Sequence, residues 1–153
     1  MTDVSIVGPD GGEALRLGPI TLRILEDGAT TDHRLGVCEI TLAPHTDGPP
    51  QHRHALHDEG FYVVSGTASF TVGETTYDAP AGTLVMVPPG APHTFANPGE
   101  VPAVLLNTFT PDLYVQYFRD LRAMIAAGQP FTPEATTEVM ARYATVPATD
   151  YAD

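Results

Sequence analysis

Lysine is missing from this 153-residue chain, and its seven basic residues, all arginine, face 19 acidic ones, for a formal net charge of −12. So acidic a chain is repelled by phosphate backbones and anionic lipid, which argues against nucleic acid and membrane surfaces as partners. The charge reads as a solubility feature. Cysteine occurs once, so no intrachain disulfide can form. Cys38 alternates with Ile40 and Leu42 on the apolar face of a strand-like run, the setting of a buried small hydrophobe rather than a nucleophile. No apolar run approaches the ~20 residues of a membrane helix. The opening residues, Met1-Thr2-Asp3-Val4, lack the basic region and apolar core of a signal peptide. The expectation is a soluble, cytoplasmic protein.

Glycine and proline, by contrast, recur between short apolar runs. With 42% apolar and 17% charged residues the composition is globular, and the length suits one domain over 1–153. Runs at 13–17, 20–26, 35–42, 61–65, 67–72, 75–79, 83–87, 93–96 and 101–109 read as strands separated by turn signals. That spacing indicates an all-β sandwich or barrel, over about 13–109. After Thr110 the pattern changes. Thr110-Pro111 reads as an N-cap and first helical residue. Tyr114, Tyr117, Phe118, Leu121, Met124 and Ile125 follow at helical spacing until Gly128 and Pro130. Thr132-Pro133-Glu134 opens a second helix, with Val139, Met140 and Tyr143 on one stripe, giving a C-terminal helical appendage over about 111–144.

The chemistry gathers in two stretches. Alternation along a strand puts His52 and His54 on one face, ~6.6 Å apart, where two imidazoles can converge on one ion while Gln51 and Arg53 point away. A short turn at 55–58 can fold Glu59 back toward them. A His-x-His pair on its own is as readily a packed or solvated pair. Residues 82–97 then form strand, Pro/Gly turn and strand, and His93 opens the last of these. Three imidazoles and a carboxylate become available. His57 and Asp58 read as solvent-facing turn residues, His33 as a surface residue, and His45 has no assignment.

These stretches resemble the paired motifs of the cupin superfamily. The first, His-x-His, four residues, Glu, six residues, Gly, runs through His52, His54, Glu59 and Gly66. The second, Gly, five residues, Pro-x-Gly, two residues, His, three residues, Asn, runs through Gly82, Pro88, Gly90, His93 and Asn97. One position departs: Thr46 stands where the family usually has glycine, with Gly48 nearby, which bears on the turn into the strand. The resemblance implies a double-sheet jelly-roll barrel with a metal inside its mouth, held by His52, His54, Glu59 and His93. The strand pattern alone is equally compatible with a generic β-sandwich.

Such a ligand set suits one divalent transition metal, Fe, Mn, Ni, Co, Cu or Zn, without selecting among them. Four donors on one cavity wall leave coordination positions open, a catalytic arrangement. Alternation and the barrel resemblance place Phe61, Phe70, Met86 and Phe95 around the metal as an apolar lining. Such a lining suits a planar or hydrophobic small molecule. Of the arginines only Arg53 lies near the motifs, and it points outward, which argues against a sugar phosphate. The stripe of Tyr114, Tyr117 and Phe118 reads as packing on the domain's own sheet; a lid over the mouth or a contact in the expected homodimer is the alternative. Within the cupins, residues 52–66, 88–97 and the helical tail resemble small quercetinase-type dioxygenases. The resemblance implies an oxidoreductase acting on an aromatic or enolic substrate, with Glu59 as ligand or proton acceptor. A metal-assisted polyketide cyclase or isomerase using no oxygen, and a ligand-binding cupin without turnover, are the alternatives.

Overall fold

The computed structural model describes residues 3–149. Strands β1 (Glu13–Leu17), β2 (Ile20–Glu26), β3 (Gly36–Leu42), β6 (Asp58–Ser65), β9 (Leu84–Val87) and β11 (Ala103–Thr110) build one antiparallel sheet in the order β1-β2-β3-β11-β6-β9. A second sheet joins β4 (Thr46–Asp47), β7 (Thr67–Val72), β8 (Thr75–Pro80) and β10 (Thr94–Asn97) in the order β4-β10-β7-β8. A third, two-stranded piece pairs β5 (His52–His54) with β12 (Thr145–Pro147). This is the expected jelly roll.

Period-two alternation drives the arrangement. Cys38, Ile40 and Leu42 on β3, and Leu105 and Phe109 on β11, are all buried on one face of the large sheet. Phe61 from β6 meets Phe70 and Phe95 from the second sheet, with ring centroids 5.1 Å (Phe61–Phe70) and 5.3 Å (Phe61–Phe95) apart. Burying each such side chain contributes roughly 1.5–3 kcal/mol of transfer free energy. Between β6 and β7 the chain turns at Gly66, whose φ is 73°. A Cβ there would lie 2.4 Å from the Pro102 carbonyl oxygen, so glycine is needed for both conformation and space. Cys38 is buried, as its strand context predicts, and burial pushes its thiol up to about 12.

Beyond the sheets, α2 (Pro133–Ala141) begins as the sequence indicates, with Thr132 Oγ1 accepting from the Ala135 amide at 3.2 Å. The first helix does not. Thr110 pairs with Asp58 as the last residue of β11 and caps nothing, and a 3₁₀ turn, Asp112–Tyr114, intervenes before α1 (Val115–Ala126). The sheet ladder claims Thr110 before the helix can. α1 packs on β1 and β3 and against α2, while α2 packs on β12. Among the described residues no helix is long and apolar enough to cross a membrane.

Candidate metal centre

β5 is only three residues long, and both its edges are engaged. On one side His52 and His93 exchange backbone hydrogen bonds, His52 N–H to His93 O at 3.1 Å and His93 N–H to His52 O at 3.0 Å, and the Gly90 amide donates to His54 O at 2.7 Å. On the other side lies β12. These bonds lock the strand and the 88–93 turn together, and β6 delivers Glu59 beside them. The ligand atoms of His52, His54, Glu59 and His93 all lie within 4.8 Å of one another, and all four residues are buried.

The nitrogens facing away from this point are each occupied. His52 Nδ1 lies 2.8 Å from the Pro50 carbonyl oxygen, His93 Nδ1 3.1 Å from that of Ala91, and His54 Nδ1 2.7 Å from Thr145 Oγ1. Carbonyls only accept, so the Nδ1 atoms of His52 and His93 carry protons and their Nε2 lone pairs are free for a ligand. Yet His54 Nε2 and His93 Nε2 lie 2.7 and 3.0 Å from Glu59 Oε2. A lone pair facing a carboxylate oxygen at that range calls for a proton or a cation between them. The donor set fits a divalent transition ion.

Electrostatics agree. Burial alone would raise the Glu59 carboxyl, but its bonds to His54 and His93 outweigh that and hold it well below the usual carboxylate range. Burial, with His93 and His54 adding repulsion, pushes His52 down to about 3. Burial opposes the charge on His93 too, but Glu59 outweighs it and keeps that imidazole above its ordinary value.

His57 corrects the sequence reading. It is 1% exposed, with its ring 4.3 Å from His54 and 5.2 Å from Tyr114, and neither ring nitrogen has a hydrogen-bond partner among the described residues. Burial pushes it down to about 4. Tyr114 from the tail covers it, whereas Asp58 is exposed as expected. His33 and His45 stay at the surface, beside Asp112 (3.1 Å) and Glu100 (3.0 Å). A pH dependence follows. His52 and His57 take up protons less readily folded than unfolded, so stability falls as pH drops from the unfolded value of 6.5 toward about 4 for His57 and about 3 for His52. Glu59 contributes stability that is present above 4.5 and lost only as pH falls through its depressed folded value. The His93 contribution is full below 6.5 and lost as pH rises through its raised value. The melting temperature of metal-free protein should therefore decline on acidification below 6.5, and His57→Phe should shallow that decline. An unchanged slope in the variant would assign it elsewhere.

A cavity of ≈ 210 Å³ opens at the centre. His52, Glu59 and Phe95 line it. Phe61 and Phe70 do not: both are buried in the core behind the site. Met86 is 56% exposed, on the outer face of β9 opposite Gly60, because Val87 takes the inward position across from Glu59. The aromatic wall comes instead from the tail, through Tyr114, Tyr117, Phe118 and Phe131. Tyr114 and Tyr117 stack at 4.5 Å between centroids, so the stripe both packs on the sheet and roofs the mouth. Sequence reasoning also missed Asn107. It is fully buried, its Nδ2 donates to Glu59 Oε1 at 3.1 Å and to Gly60 O at 2.9 Å, and its Oδ1 has no partner among the described residues. A polar residue at an inward register between Leu105 and Phe109 was the available signal.

Residues 38–109 match the Cupin domain family. Over 55 residues the chain is 29% identical to an uncharacterized protein of Methanocaldococcus jannaschii, a match covering 36% of this chain and 44% of that one, so it spans less than half the relative's length. Among solved structures, KdgF from Halomonas sp. aligns with a TM-score of 0.62 at 20% identity, over 70% of this chain and 94% of that one. The polyketide cyclase RemF from Streptomyces resistomycificus aligns at 0.63 and 19%, over 74% and 94%. At these identities the likeness is one of fold. The matched segment, 38–109, is a cupin domain that holds all four donors, and the jelly roll around it is shared with these structures.

Proposed function

We propose that this protein is a metal-dependent enzyme acting on a small apolar aromatic or enolic substrate, by an oxygen-dependent reaction of the quercetinase type. The observation that carries the substrate class is the pairing of a four-donor cluster with an aromatic-walled cavity that has no arginine among its described lining residues. Among the described residues that line the cavity, the ionisable ones other than tyrosine are Asp47, Glu59 and His52, so a phosphate or carboxylate group finds no guanidinium or ammonium partner from the chain there. A divalent ion held by His52, His54, Glu59 and His93 supplies Lewis acidity, and redox capacity where the metal has it. The chain's own part is positioning. Asn107 holds one Glu59 oxygen, and Phe95, Tyr117 and Phe118 present flat apolar surface and keep water from the mouth.

A second reading, non-oxidative cyclisation, is favoured by the tyrosine pair. Burial raises both phenols, that of Tyr114 well above its ordinary value, and the two hydroxyls bond to each other, so both stay protonated and the pair has one proton left to donate to a developing oxyanion. The fold shared with a polyketide cyclase is compatible with this reading but does not carry it. Oxygen uptake decides. Protein loaded with Fe, Mn, Co, Ni or Cu is expected to consume oxygen with at least one flavonol, acireductone or catechol-like enol; none across the panel would move the assignment to the cyclase. Glu59→Gln should lower turnover more than metal content if Glu59 accepts a proton, whereas parallel losses would make it a ligand alone.

A further inference from the structure

Of the three ligand histidines, His52 and His93 hold their outer nitrogens with carbonyls two residues earlier in the same segment. His54 draws its partner from 91 residues downstream. We propose that Thr145, on the tail strand β12, is a positioning residue of the metal centre: it keeps the His54 proton on Nδ1 and so commits the Nε2 lone pair to the ion. Tail docking and metal binding are thereby coupled. The inference rests on reading the four donors as a metal centre.

A neutral imidazole has one proton for two nitrogens, and the hydrogen bond at one sets the availability of the other. Two acceptors compete for it at His54: Thr145 Oγ1, 2.7 Å from Nδ1, and Glu59 Oε2, 2.7 Å from Nε2. The Thr145 hydroxyl sends its own proton to the Tyr143 carbonyl at 3.1 Å, so its oxygen faces His54 as an acceptor. Thr145 is fully buried, and further ladder bonds fix its strand beside β5: Ala55 N–H to Ala144 O at 2.9 Å and Ala148 N–H to Gln51 O at 2.8 Å. Remove the hydroxyl, and the best remaining partner for the proton is the Glu59 carboxylate. That tautomer has no lone pair on Nε2 to give. Because one contact serves both events, a metal that favours the Nδ1–H tautomer must strengthen tail docking by the factor that docking strengthens metal binding.

The test uses the full chain and Co(II) alone. Thr145→Val keeps the branched shape and removes the oxygen, and Thr145→Ser keeps the oxygen. Thr145→Val is expected to weaken Co(II) binding by about 10–100-fold, the usual cost of losing a ligand's outer partner, with Thr145→Ser restoring most of it. In the wild type, which needs no variant to fold, Co(II) should slow hydrogen exchange at the Ala148 amide. Wild-type affinity in Thr145→Val, a Thr145→Ser as weak as Thr145→Val, or an Ala148 amide indifferent to Co(II) would each overturn the proposal while leaving the metal centre standing. A wild-type chain that takes up no Co(II) overturns both.

Discussion

His93→Ala is expected to leave a folded protein that no longer holds its metal. The side chain supplies one of four donors, and its Nε2 lies 3.0 Å from Glu59 Oε2. Its structural tie to His52 is made by backbone atoms, which alanine keeps. Losing a donor should cost more affinity than the ~10–100-fold of losing an outer partner, so metal content after dialysis should fall to background and turnover with it. Metal analysis beside a circular dichroism spectrum checks this. Full metal content in a folded variant would remove His93 from the ligand set.

Gly48→Ala should be the most disruptive addition of a single methyl group. A Cβ at Gly48 would lie 1.8 Å from the Phe95 carbonyl oxygen and 3.0 Å from its carbon, and both are backbone atoms. Phe95 is paired with Phe70 across the β10–β7 ladder, so neither atom can swing aside as a side-chain tip would. Either β4 or β10 must move, and β10 follows directly on His93. Overpacking usually costs ~1–3 kcal/mol, and a backbone clash this close should reach or pass the upper end. Three kcal/mol lowers the melting temperature by roughly 6–12 °C in a chain of this size, and metal affinity should fall with it. A variant melting with the wild type would refute so tight an approach.

That glycine also marks a limit of the motif. Thr46, at the position where glycine is usual, is an ordinary buried residue of β4 paired with Asn97. The close approach falls two residues later, which the spacing alone did not reveal. The four donors were legible because strand alternation and one short turn bring them together, and their contacts run mostly between neighbouring segments. Asn97 is used as its motif place suggests, its Nδ2 donating to the carbonyls of Leu42, Ala43 and Val101. Parity in β9 was misjudged: Met86 points outward because Val87 faces Glu59, a register fixed by pairing with β6 rather than by the local pattern. The tail was harder still. A three-residue strand carries no periodicity, and Thr145, Tyr114 and the burial of His57 depend on contacts far along the chain.

The central claim, one ion held by these four side chains, is tested most directly by anomalous diffraction from crystals of the Co(II)-loaded protein. One strong peak is expected, within about 2.0–2.2 Å of His52 Nε2, His54 Nε2, His93 Nε2 and a Glu59 carboxylate oxygen. A peak elsewhere, or none at this point after loading, would contradict it.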